Sequence, residues 1–177
     1  MSDLPKSTVA SRLYKALITS LHTTDFAEIS VNQLCKQADL PRSTFYLYYP
    51  DKLAVLEELV HLYATQFDEL MTTLSEPDVD AFLQALYMGL SGDADTVKTL
   101  LDVHEPSADL GYEYREVLRK RAAKLLPQVQ LCVPAEFAKE LYATNAFTAI
   151  DWALRHGEPE AIAKFMNSLA QNVIATK

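Results

Sequence analysis

Residues 29–53 read ISVNQLCKQADLPRSTFYLYYPDKL and hold most of the side chains that could do recognisable chemistry. Arg42, Ser43, Thr44, Tyr46, Leu47 and Tyr48 crowd into seven positions, with Lys52 just beyond and Asn32 ten residues before Arg42. A guanidinium is a planar fork of donors that fits a phosphate or a base edge. Tyrosine hydroxyls bond phosphate oxygens, and a lysine at a helix start adds a cation where backbone N–H groups already attract anions. Arg42 is therefore the candidate for base or phosphate contact. Tyr46, Tyr48 and Lys52 are the candidates for phosphate, and Asn32 for a base edge. Each has an ordinary reading too, as a solvated surface side chain or, for the tyrosines, a core aromatic. Phe45 and Tyr49 fit the core role better than Tyr46 and Tyr48.

This chemistry needs a short helix held out from a core, with a second helix bracing it. A major groove about 12 Å wide admits a single helix. The spacing predicts that arrangement. A first helix over 6–22 carries Val9, Leu13, Ala16, Leu17 and Leu21 on one face and breaks at Asp25-Phe26, where Phe26 plugs the core. Ser30-x-x-Gln33 reads as a capping box that opens a second helix, with Val31, Leu34, Cys35 and Ala38 inward. Asp39-Leu40-Pro41 is a sharp turn. A very short third helix follows over 42–48, Pro50 breaks it, and Asp51 caps a fourth. The fourth carries an apolar stripe of Leu56, Leu59, Val60, Tyr63, Phe67, Leu70, Met71 and Leu74, long enough to join two domains. Further helices read at 79–91, 94–104, 109–126, 135–156 and 159–175, with Gly157 as a C-terminal cap and Pro159 in a first turn.

The chain is thus all-α: a three-helix helix-turn-helix head over 1–52 and a helical body over 53–177, about nine helices in all. Four glycines and eight prolines in 177 residues leave little for β turns. No apolar run approaches the ~18 residues of a membrane span, and the polar start lacks a signal peptide's apolar stretch. The two cysteines, Cys35 and Cys132, have no CxxC partner and read as reduced, packed thiols of a cytoplasmic protein. The four histidines show no metal spacing, so no metal and no cofactor are expected. There is no G-x-S-x-G and no glycine-rich phosphate loop, and an enzyme is not expected. The net charge of −8 is unevenly spread. Residues 1–54 hold six basic and five acidic side chains, the remainder ten and nineteen. Double-stranded DNA would be repelled by the body and accepted only by the head.

At fixed spacing, Phe26, Ile29-Ser30-Val31, Leu34, Ala38, Leu40, Thr44-Phe45-Tyr46, Tyr49 and Asp51-Lys52-Leu53 make the head resemble the TetR family of bacterial regulators. The R-S-T-F-Y-x-x-Y-x-D-K run resembles the branch typical of low-GC Gram-positive bacteria. Ala146 to Leu154, then Gly157, resembles that family's penultimate helix with its tryptophan. Two positions depart. Asp39 stands where the family usually has a turn glycine, and Pro41 where it has a capping serine. The resemblance implies a homodimer on a palindromic operator, with the last two helices of each subunit forming a four-helix bundle. The sequence allows this independently. Leu141, Asn145, Ile150, Trp152, Ile162, Phe165, Met166 and Leu169 offer more apolar surface than one helix pair needs, and are the expected dimer interface.

In the body, Tyr63, Phe67, Phe82, Tyr87, Met88, His104 and Tyr112 are the candidates to line a pocket for a small-molecule effector; the plainer reading makes most of them core. The leading expectation is a repressor released by that effector. The alternative is a regulator whose body binds a partner protein. A closed apolar hollow of a few hundred Å³ would favour the first, and a filled core with exposed apolar side chains the second.

Overall fold

The computed structural model describes residues 9–73, 79–128, 130–157 and 159–171. They form helices and short connections, with no strand among the described residues. The order is α1 (Val9–Leu21), a 3-10 turn at Phe26–Glu28, α2 (Val31–Gln37), α3 (Arg42–Tyr48), α4 (Lys52–Thr73), α5 (Val79–Ser91), α6 (Ala94–Leu101), α7 (Leu110–Leu125), a 3-10 turn at Leu126–Gln128, α8 (Ala135–His156) and α9 (Pro159–Gln171). The expected start of α1 at residue 6 and the expected stripe residue Leu74 lie outside the described residues. The helices at 42–48, 79–91 and 135–156 fall where the periodicity puts them.

The chain divides into two compact units, Met1–Tyr63 with Asp95–Leu110, and Ala64–Ala94 with Gly111–Lys177. In the first, Leu13, Leu17, Ile29, Leu34, Phe45, Val55, Leu56, Leu59 and Leu100 are almost wholly removed from water. Phe26 is buried with them, as its place after the α1 break predicts. Burying one such large side chain contributes roughly 1.5–3 kcal/mol relative to leaving it in water. Cys35 is buried here, as expected; Cys132, expected to be packed, is exposed instead.

In the second unit, α5 packs on α8 and α9, and α8 on α9. The core holds Phe67, Met71, Leu86, Tyr114, Leu118, Ala122, Ala143, Ala149 and Ile150. Phe67 stacks on Tyr114 with ring centroids 4.0 Å apart. Gly89 allows a close approach to α4, since a Cβ there would stand 2.9 Å from both Leu70 methyls. Arg119 ties α7 to Glu140 of α8 at 2.8 Å and also pairs with Glu116. Gly157, at φ 77°, ends α8 with its N–H on Ala153 O at 2.9 Å, and α9 restarts at Pro159.

Candidate nucleic-acid interface

The interface is built from local rules that the sequence states openly. Ser30 caps α2, its hydroxyl oxygen accepting from the Gln33 backbone N–H at 3.1 Å. Between α2 and α3 the chain must reverse sharply, and Asp39 does it in the left-handed region, at φ 51°. Arg12 of α1 supports that turn by donating to the Asp39 carbonyl oxygen, and its guanidinium lies 3.2 Å from the Asp39 carboxylate. The turn thus survives without glycine, and α1 helps to hold it. Pro41 begins α3 without a side-chain cap bond, as the departure from serine implies. Asp51 caps α4 by accepting from Ala54 N–H at 2.9 Å.

α3 presents two unlike faces. Phe45 is fully buried and Tyr49, just past its end, nearly so. Opposite them Leu47 is 82% exposed, Tyr48 60% and Tyr46 49%. Arg42 and Ser43 are exposed and Thr44 half-buried. Asn32 is exposed on α2, with Gln33, Lys36 and Gln37 around it. The structure therefore brings Arg42, Ser43, Tyr46, Leu47 and Tyr48 to the surface of one short helix. Arg42 donates to the Tyr46 hydroxyl at 3.2 Å and lies over its ring. That bond, with the partial negative charge of the hydroxyl oxygen, pushes the guanidinium pKa up. An exposed leucine flanked by donors is the pairing a groove offers to a thymine methyl and base edges.

Two further residues hold α3 to its neighbours: Tyr49, read from the sequence as a core aromatic, and Tyr14, which the motif reading did not pick out. Tyr49 donates to the Tyr14 hydroxyl of α1 at 3.5 Å. Burial, and then hydrogen bonding with Glu58 of α4, pushes the Tyr49 pKa up to about 12. Tyr14 is shifted in the same direction, first by burial and then by its bonds with Tyr49 and Glu58.

Lys52 stands differently from the expectation of a phosphate contact. It is half-buried, and its ammonium donates to the carbonyls of Phe26 at 2.5 Å and Ala27 at 2.8 Å, 4.6 Å over the Phe26 ring.

The described body candidates stand in different surroundings within their own units. Tyr63 and Phe67 are buried core side chains, while Met88 is 72% exposed and Tyr112 is exposed as well. The Phe82 side chain lies outside the described residues. Tyr87 lines an apolar pocket of about 10 Å³ with Leu86, Leu90, Ile150 and Ile162, room for no more than a water. His104 is exposed, pairs with Asp109 at 3.0 Å and edges an open polar groove of about 610 Å³ between the end of α1 and α6.

The expected dimer residues divide in a similar way. Trp152 and Phe165 are exposed, and Trp152 stacks on His156 at 4.0 Å. Leu141, Asn145 and Met166 are half-buried. Ile150 is buried in its own chain, because its side of α8 faces α5 and α9. Ile162 lines the same internal pocket, and the Leu169 side chain lies outside the described residues. Phe137, which the sequence reading passed over, is exposed on α8. It lies four residues before Leu141, a spacing that could have identified it.

No family model matches the chain. A segment of 54 residues is 44% identical to the HTH-type transcriptional regulator EthR of Mycobacterium tuberculosis, and covers 30% of this chain. A segment of 40 residues is 55% identical to EthR of Mycolicibacterium smegmatis, covering 23% of this chain and 18% of that protein. The match to the M. tuberculosis protein spans 25% of its length. Similarity of fold runs further. A TetR transcriptional regulator from Streptococcus agalactiae superposes with a TM-score of 0.66 at 22% identity, over 92% of each chain. The fatty acid degradation regulator FadR from Bacillus halodurans superposes at 0.65 and 18% identity, over 93% of this chain and 95% of its own. The dihydroxyacetone kinase operon activator DhaS does so at 0.60 and 13% identity, over 94% and 98%. The chain thus resembles helix-turn-helix regulators in one short segment and shares the fold of TetR-type regulator structures along nearly its whole length.

Proposed function

We propose that this chain is a sequence-specific DNA-binding transcription regulator that acts as a homodimer on a palindromic operator. The observation that carries the reading is α3. Seven residues are anchored by a fully buried Phe45, while Arg42, Ser43, Tyr46, Leu47 and Tyr48 stand in solvent with no partner helix over them. Tyr46, Leu47 and Tyr48 together expose three consecutive large apolar or aromatic side chains on one short helix, which marks an interaction surface better than a lone leucine would. In this reading Asn32, Arg42, Ser43, Thr44, Tyr46, Leu47 and Tyr48 form the DNA face. Residues 1–52 are the DNA-binding segment, and 53–177 dimerise and receive the signal. The exposed Phe137, Trp152 and Phe165 support dimerisation through α8 and α9, with Leu141, Asn145 and Met166 at the margin. The activity is binding without catalysis, in the cytoplasm beside the DNA.

The direct test is selection of duplexes from a random pool by the unaltered protein. An enriched two-fold symmetric site with half-sites about one turn apart, roughly 34–36 Å, supports the proposal. A pool with no enriched sequence refutes it.

Release from the operator by a small molecule is the reading carried over from the sequence. A second reading, recruitment of a partner protein, draws on the described residues of the second unit. Its apolar pocket is about 10 Å³, against the ~300 Å³ or more that a small ligand needs. Met88 and Tyr112 are exposed on the same unit. Co-purification of the DNA-bound dimer with a second protein would separate the two readings.

A further inference from the structure

A lysine that begins an α-helix is electrostatically misplaced. The helix N-terminus carries partial positive charge, so a cation in the first turn is disfavoured unless something holds it. Lys52 is the first residue of α4, and the first turn of that helix holds no acidic residue. Its ammonium is held elsewhere: by the carbonyl oxygens of Phe26 at 2.5 Å and Ala27 at 2.8 Å, over the Phe26 ring at 4.6 Å. These acceptors lie 26 and 25 residues earlier in the chain, in the 3-10 turn that leads to Ser30, the cap of α2. Two of the three ammonium protons are thus used inside the protein. Asp51, next to Lys52, fixes the start of α4 through Ala54 N–H. One end of α4 is therefore pinned, and from it a cation reaches back to the segment that starts the bracing helix.

We infer that Lys52 is a positioning residue of the DNA interface: it clamps the Phe26–Glu28 turn to the start of α4, sets where α2 begins, and makes no phosphate contact of its own. The inference rests on the DNA-binding reading above, but its own test has an arm without DNA. The variant Lys52→Met keeps the apolar stem and removes the charge. Hydrogen exchange of the DNA-free protein should rise at least tenfold in amides 26–30 and stay unchanged in the buried stretch 13–17. Affinity for a selected duplex should fall, with the slope of log affinity against log salt unchanged. Loss of a direct phosphate contact would instead make that slope shallower by about 0.9 for each lysine removed. A shallower slope, or unchanged exchange at 26–30, overturns the inference.

Should Lys52→Met fail to fold, the unaltered protein supplies a second measurement. The Lys52 ammonium protons should be protected from exchange with water in the free protein, and no further on adding the duplex. Protection that arises only with DNA overturns the inference as well. Failure of the underlying reading looks different, because the unaltered protein would then select no duplex at all.

Discussion

Asp39 offers a quantitative test of how the recognition turn is held. At φ 51° it occupies backbone space in which a Cβ costs an ordinary residue about 1–2 kcal/mol. Aspartate pays less than alanine, because its short polar side chain can bond locally, and glycine pays nothing. Glycine gives back about 0.4–1 kcal/mol through its freer unfolded chain. Asp39→Gly should therefore stand above Asp39→Ala by roughly 0.5–1 kcal/mol. In a domain of this size that is a difference of about 1–4 °C in melting temperature. The Arg12 pair changes the order little. Its carboxylate partner is fully in solvent, and exposed pairs of that kind contribute little. The Arg12 bond to the Asp39 carbonyl oxygen survives in both variants because it uses only backbone. Parallel thermal melts of the three proteins, with DNA affinity as a check, measure the order. Glycine at or above aspartate, and alanine lowest, is expected, with affinity kept in the glycine variant. Alanine equal to or more stable than glycine would refute the left-handed turn, and aspartate well above both would mean that the Arg12 side-chain pair had been undervalued.

Phe165→Asp puts a charge on the exposed apolar side of α9 and should yield monomers by sedimentation equilibrium at micromolar protein; an unchanged dimer would displace the proposed interface. Arg42→Ala should relax the preference at one base pair in each half-site by about tenfold or more in a selection experiment, and equal loss on all sequences would make Arg42 a phosphate ligand instead. Tyr49 should make stability pH-dependent at the alkaline end. Its folded pKa, about 12, lies above the unfolded value of 10.0, so the neutral form is the one the fold favours. That contribution is complete below pH 10 and is lost as pH rises through 12, and the slope of stability over this window should be flatter in Tyr49→Phe, as urea titrations would show.

The head was legible because its rules are local. A serine three residues before a glutamine, an aspartate three residues after the tyrosine that ends a short helix, and an apolar residue every third or fourth position are each readable without the fold. Each produced the cap or buried face expected at Ser30, Asp51 and Phe45. The internal partners of Lys52 were not legible, for the opposite reason. A cation at a helix start looks like an anion site, and the carbonyls that occupy it come from 25 and 26 residues upstream, where no periodicity points. In the body the same period of 3.6 gives a face but not its neighbour. Ile150 and Trp152 both read as surplus apolar surface on α8, yet Ile150 faces α5 and α9 while Trp152 faces water. The aromatics of α4 and α7 likewise could not declare that Phe67 and Tyr114 stack on each other.

The same accounting of cations bounds how the protein should respond to salt. Residues 1–54 hold six basic side chains. Arg12 supports the Asp39 turn and Lys52 is held by two carbonyls, which leaves Lys15, Lys36 and Arg42 exposed among the described residues, with Lys6 outside them. The remainder of the chain, with nineteen acidic and ten basic side chains, adds repulsion rather than contacts. Each phosphate neutralised by a cation contributes about 0.9 to the slope of log affinity against log salt. Lys15 and Lys36 in each of two heads give a slope near −4, counterions released by Arg42 at a base edge would take it to about −5, and including Lys6 takes it to about −7. Anisotropy titrations on a selected duplex between roughly 50 and 200 mM salt read the slope directly. A value near −5 would mean that specificity leans on the uncharged contacts of Ser43, Tyr46, Leu47 and Tyr48. A slope of about −10 would need more cations at the DNA than this head presents, and would refute both the internal assignment of Arg12 and Lys52 and the exclusion of the body from the interface.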